Sequence, residues 1–364
     1  MYLEPGRPDL GYLRHLFFAG LSDWGNDTFK YYLTELDEDG RPVRWLFDSV
    51  VPEYTLPSGN YPGADVNIGT TMSGEGDFYA VPSPTPAHLK DWESLLDLYF
   101  ARGGELDLLD EQVGELAAAI GEPPHPRNVV IVLPYPSHQL CKFGELDGRR
   151  LNFSVLGQNL AKASEDRLTA LLWYIRGVAR RWEEKKYKRL NLLGFYWPFE
   201  TVYRSWDIDD HWVLKHLRPK VNALGLKMTW IPFWASWNVH LLDDYESYYF
   251  DAAFLQSNHL FYKNIPGVEE AARAAEARHA GVEMEFYVGY ESNFDPVVVR
   301  EKMERFRRYL NGGVDFGYMK NSACAWFLGG GVMPKLHQSS DPADRQTYRD
   351  IVSFIHGEYE KKGP

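Results

Sequence analysis

At 364 residues, 45% of them hydrophobic and 25% charged, the chain has the make-up of a folded globular protein with room for a sizeable core. A formal charge of −12 argues against a surface that tracks phosphates, because nucleic-acid binders gather Lys and Arg. No stretch holds the ~18 apolar residues of a membrane span, and two cysteines, Cys141 and Cys324, make no disulfide framework.

The opening MYLEPGRPDLGYLRHLFFAG lacks the basic head, apolar run and cleavage site of a signal peptide. A reduced, cytoplasmic location is the default expectation, and secretion the expectation if a signal was trimmed from it. Aromatic residues make up 15% of the chain, and their excess matters only where they cluster around a ligand.

Short apolar runs of strand length alternate with longer amphipathic stretches, the mark of βα units. The predicted strands are 14–20, 44–51, 128–136, 189–197, 226–234, 250–258, 281–289 and 318–328. Two helices are predicted in 87–121, broken at Gly103-Gly104, and one in 155–187, where apolar positions recur at three and four. Others are predicted near 207–224, 266–279, 295–311 and 341–360. Asn293 or Asp295 would cap the helix near 295, and Ser340 or Asp341 the last one. The interval 21–43 is thin for a full helix. Eight βα units in order predict a single-domain (β/α)8 barrel over 1–364. A doubly wound open sheet would need a switch point, and no Gly-rich phosphate loop marks one.

Active sites of such barrels lie at the carboxyl ends of the strands. In GVEMEFYVG, alternation puts Val282, Met284, Phe286 and Val288 on one face and Glu283, Glu285 and Tyr287 on the other. If the apolar face meets the helices, the two glutamates enter the barrel. An ionised carboxylate there is costly unless paired. The alternatives are an ion-pair network, with Lys320 or Arg204 as partners, and a ligand or catalytic role. Glu200 follows the fourth strand in GFYWPFE, where Pro198 ends the ladder. Glutamates after strands four and seven have the placement of the two carboxyls in many barrel glycosidases. That chemistry needs one carboxyl protonated and the other ionised.

Asp48, Gln139, Gln256 and Asn258 fall in or near strand ends and read as a hydrogen-bonding rim, or as ordinary barrel and cap residues. Tyr135, Tyr196, Trp197, Trp230, Trp234 and Trp237 supply faces on which a pyranose could stack, or else fill the barrel. HEXXH, CXXC, GXSXG and a first-strand HXH are absent. No metal and no cofactor are expected, although His138, His240 and His259 near strand ends leave a metal-dependent enzyme open.

The segments WLFDSVV, LPYPSHQLCKFG, LLGFYWPFE, WIPFWAS, FDAAFLQSN and GVEMEF, in that order, resemble the domain-of-unknown-function 4855 (DUF4855) family over residues 13–330. The resemblance implies a barrel related to glycoside hydrolases and carries no established substrate. The reading that emerges is a hydrolase of poly- or oligosaccharides. Glu200 would be its acid/base and Glu285 its nucleophile or base, with Glu283 in reserve. Asp48, Gln139, Gln256 and Asn258 would hold hydroxyls, while Trp197, Trp230 and Trp234 stack. The alternatives are a non-catalytic glycan-binding barrel and a metal-dependent barrel enzyme. Oligomeric state, sugar and linkage are left open.

Overall fold

The computed structural model describes residues 1–20, 28–53, 70–72, 78–80, 86–234, 239–261, 267–286, 296–329 and 331–363. Eight parallel strands close a barrel. Numbered in chain order they are β1 (His15–Gly20), β2 (Ser49–Glu53), β3 (Arg127–Val132), β4 (Leu190–Trp197), β5 (Lys227–Trp230), β6 (Ala252–Leu255), β7 (Gly281–Phe286) and β8 (Cys324–Leu328). Each pairs with its neighbours in sequence, and β8 closes onto β1.

All eight predicted strands exist, with shifted ends. Arg44 and Trp45 belong to a strand, Pro42–Trp45, that pairs antiparallel with Thr34–Leu36, so β2 begins only at Ser49. Residues Tyr318–Asn321 form a helical turn ahead of β8. Residues 287–289 lie outside the described residues. The interval 21–43 holds a short helix, Lys30–Leu33, and that hairpin.

The long helices stand close to where periodicity puts them. Leu89–Tyr99 and Glu105–Ile120 are separated at Gly103-Gly104, and Leu160–Lys185 follows β3. Asp210–Asn222, Val268–Ala277, Pro296–Asp315 and Pro342–Ile355 cover the remaining predictions, and Val332–Gln338 is an addition. Asp341 caps the last helix through the backbone N–H of Ala343, so the cap is Asp341 and not Ser340. The proposed caps Asn293 and Asp295 lie outside the described residues.

Strand alternation sorts the side chains into two apolar layers. Leu16 and Phe18 of β1, Val51, Val130, Val132, Leu193, Ile231, Phe254 and Ala325 form an inner cluster. Phe17, Val50, Val129, Ile131, Phe195, Trp197, Met228, Trp230, Val282, Met284, Phe286 and Trp326 join the helices in a larger outer cluster. Burial of whole aromatic and aliphatic side chains at about 25 cal/mol per Å² makes this double layer the main source of stability. A break in register between Leu192 and Gly194 shifts β4 against β3. Gly194 is obligatory there, because a Cβ would stand 1.9 Å from the Lys227 carbonyl oxygen.

The amino end of the barrel is closed by the N-terminal segment. Leu3 donates its N–H to the Ala280 carbonyl and accepts from Ala323 N–H, with Leu10 and Leu13 packed beneath Leu16. Just above, the Asn128 amide donates to Gly11 O (2.9 Å) and Ser49 Oγ (3.0 Å) and accepts from Asn191 (2.8 Å). One end is therefore plugged and the other remains to carry a site.

Candidate active site

Strand β7 turns its acidic edge inward. Glu283 and Glu285 lie in register with Ala325 and Phe327 of β8, and Ala325 belongs to the inner cluster against which Phe327 packs. Val282, Met284 and Phe286 face the helices, where Phe286 stacks on Phe306 at 4.2 Å. Both glutamates are buried, Glu283 5% and Glu285 1% exposed. Neither forms an ion pair with Lys, Arg or His among the described residues, and Arg204 instead faces Asp209 at 3.8 Å. An ion-pair network with Lys320 or Arg204 is therefore not what holds them.

Glu285 is held by hydroxyls and a backbone amide. The Pro296–Asp315 helix places Tyr309 one turn beyond Phe306, and its O–H donates to Glu285. Ser257, just past β6, lies 2.6 Å from the Tyr309 oxygen and donates to the same carboxylate at 3.3 Å. The Asn258 N–H also donates. It does so from a left-handed backbone, φ 54°, which Asn tolerates better than most residues. Burial pushes Glu285 up from 4.5 to about 7, opposed by these three donors.

Glu200, just past β4, is near enough to feel the charge of Glu285 and to act on Glu283. Its Oε2 is enclosed although the residue keeps partial exposure. Burial lifts its pKa to about 8, with repulsion from Glu285 adding and a hydrogen bond from Gln256 opposing. Gln256 also donates to the Ile231 carbonyl at 3.2 Å, which fixes its amide. Glu283 is raised well above the usual carboxylate range by burial, then by repulsion from Glu285 and Glu200. Three carboxyls, one just past β4 and two on β7, thus share one electrostatic neighbourhood. Tyr196 lies on the lumen face of β4, edge-on to Phe18 at 5.3 Å, and is partly exposed. Trp234, partly exposed, follows β5 and donates its backbone N–H to Gln256 O.

Other expected ligands are elsewhere. Asp48 precedes β2 and stands at the amino end, accepting from the Arg14 and His15 N–H groups (3.0 and 3.2 Å) and Ser49 Oγ (2.6 Å). It ties β2 to the start of β1 and does not belong to the rim. Trp197 and Trp230 pair in register on the outer face and are fully buried. Trp230 stacks on Phe250 and donates to Phe199 O, so neither tryptophan can stack on a sugar. Tyr135 is buried against Phe199 and Trp197, with its O–H on Asp210 at 3.1 Å. Asp210 in turn pairs with the wholly buried Arg167, making Tyr135 a structural residue. Gln139 lies exposed on the loop after β3, with no contact to the glutamates. Asn258 joins the site through its backbone N–H. Trp237 and Tyr287 lie outside the described residues.

Ser257 and Tyr309 are the residues that sequence reasoning missed. Tyr309 sits in the buried stripe of a helix with Phe306 and Leu310, where nothing but its hydroxyl distinguishes it from packing. His259 bonds Arg308 through Nε2 at 3.2 Å, and burial with that positive neighbour lowers its pKa to about 4. No group of three or more His, Cys, Asp or Glu among the described residues is arranged to hold a metal.

Fold and site together define a (β/α)8 barrel with an acidic cluster in its lumen, towards the carboxyl ends of the strands. The chain belongs to the DUF4855 family: the family model described as "Domain of unknown function (DUF4855)" matches residues 19–353. No curated protein matches it. Among solved structures it is similar to a GH18 chitinase from Pseudoalteromonas aurantia, at 9% identity and TM-score 0.42, over 94% of this chain and 99% of that one. A D-allulose 3-epimerase from Methylomonas sp. shares 11% identity at TM-score 0.36, over 95% and 98%. A Bacteroides ovatus GH5 xyloglucanase shares 12% at TM-score 0.36, over 70% and 60%. These likenesses concern the barrel, a scaffold that hosts many reactions.

Proposed function

We propose that the protein is a glycoside hydrolase, with Glu200 as general acid/base and Glu285 as nucleophile or base. The observation that carries this reading is the unequal treatment of two carboxyls that face one another's charge. Glu200, with a donor from Gln256 among the described residues, is pushed up to about 8 and is the one suited to hold a proton at neutral pH. Glu285, with donors from Tyr309, Ser257 and Asn258, lies at about 7 and is the one readied to ionise.

Cleavage of a glycosidic bond uses that asymmetry. The protonated carboxyl gives its proton to the departing oxygen, and the ionised one attacks the anomeric carbon or activates a water. A nucleophilic Glu285 leads to retention and a water-activating one to inversion. Tyr196, partly exposed beside Phe18, and Trp234 offer the aromatic surface for a sugar ring, and Gln256 orients Glu200. The substrate is a polysaccharide or oligosaccharide.

The test is product analysis of the purified chain against a panel of microbial and plant glycans. Release of defined fragments, lost in Glu200→Gln and in Glu285→Gln, supports the reading. Tight sugar binding without products would make it a glycan-binding barrel instead.

A further inference from the structure

We propose that the acidic cluster in the lumen takes a cationic sugar, a hexosamine unit with a free ammonium group that sits against Glu283. This rests on the glycoside-cleaving reading above and names the substrate class for it. Glu283 is 95% buried, being 5% exposed, and points into the lumen from the middle of β7. Among the described residues none donates a hydrogen bond to it, and no Lys, Arg or His forms an ion pair with it or with Glu285. Its lumen-side neighbours are Ala325 on β8 and, past the Leu255–Val282 pair, Gln256 after β6. Ala325 offers no donor. The Gln256 amide is already committed to Ile231 O and Glu200.

A buried carboxyl with no partner among the described residues is costly as the anion, which lacks donors. Two further carboxyls nearby make the anion costlier still. Valine or leucine would fill the position without that cost, so the carboxyl is explained by a group that arrives from outside. A neutral hydroxyl would satisfy one hydrogen bond and leave the repulsion in place. An ammonium supplies three N–H donors and the compensating charge together. The acetamido group of an N-acetylated sugar has lost that charge and adds bulk.

Burial and mutual repulsion favour the protonated carboxyls, so a cation that ionises them releases protons to solvent. The experiment is isothermal titration calorimetry of the full chain at pH 6, in two buffers of different ionisation enthalpy. The probes are oligomers of glucosamine and of galactosamine, each beside its N-acetylated counterpart. At least one amino form should bind tenfold or more tightly than its acetylated form, with net proton release. Glu283→Gln should reduce that preference to threefold or less.

Equal or weaker binding of both amino forms overturns the inference, as does the absence of proton release or a preference that survives in a folded Glu283→Gln protein. If that variant fails to fold, the wild-type preference and proton release decide alone. Stoichiometric Ca²⁺ binding that excludes the amino sugar assigns the carboxyls to a metal and also overturns it. Product analysis keeps the two readings apart. Cleavage of neutral glycans without an amino preference removes this inference alone, whereas preference without cleavage removes the hydrolase and leaves a binding site.

Discussion

Replacing Glu200 by Gln should make the protein more stable at alkaline pH, although it removes the proposed acid. Glu200 rises from 4.5 to about 8 on folding, so the folded chain holds this proton more tightly than the unfolded one. Stability from this group is therefore full below about pH 4.5 and is lost as pH climbs through about 8. At about 1.4 kcal/mol per tenfold change in binding, the ionised carboxyl costs at most about 5 kcal/mol, less what its residual solvent contact recovers. With an unfolding entropy of about 2.1 cal/mol/K per residue, that ceiling is about 6 °C in Tm for a chain of this length. The amide keeps the shape of the acid and can still accept from Gln256. Scanning calorimetry of both proteins from pH 5 to pH 9 reads the effect. The two melting curves should nearly coincide at pH 5 and separate by several degrees at pH 9, with the variant higher. Parallel pH profiles would show that Glu200 is not buried against the other carboxyls, and the reasoning would fall with it.

On the glycan that the protein cleaves, kcat/KM should be bell-shaped, rising as Glu285 ionises near 7 and falling as Glu200 loses its proton near 8. Glu200→Gln should abolish the alkaline limb along with most of the rate. Tyr309→Phe removes the donor to Glu285 and the acceptor of the Ser257 O–H and the Leu260 N–H. It should move the acid limb to higher pH and cost about 1–3 kcal/mol in stability by urea unfolding. An unmoved limb would separate Tyr309 from Glu285. Asp210→Asn strands the buried Arg167 guanidinium and should cost about 3–5 kcal/mol. Tyr135→Phe should cost about 1 kcal/mol with KM unchanged, since Tyr135 serves that ion pair and not the pocket. A KM raised tenfold in Tyr135→Phe would return it to the site.

The acidic edge of β7 was legible because alternation on a strand with one apolar face admits only one orientation. Glu283 and Glu285 had to enter the lumen once Val282, Met284 and Phe286 met the helices. The same rule separates Tyr196 from Trp197, which the sequence offers together as stacking faces although neighbours on a strand face opposite ways. Only knowledge of the slip at Leu192/Gly194 settles which of them looks inward. Asp48 was misplaced by a strand boundary: the run 44–51 joins a hairpin arm to β2, so its aspartate falls at the amino end. Tyr309 and Ser257 left no signal, because their hydroxyls act across 24 and 28 residues of sequence, one from the packing of a helix and the other from the end of β6.

The central claim is that Glu200 and Glu285 together break a glycosidic bond. Steady-state turnover of the cleaved glycan by wild type, Glu200→Gln and Glu285→Gln tests it most directly, with each variant's fold confirmed by its melting curve. The account predicts losses of a thousandfold or more in both, as expected when an acid or nucleophile is removed. Wild-type turnover in both folded variants would contradict it.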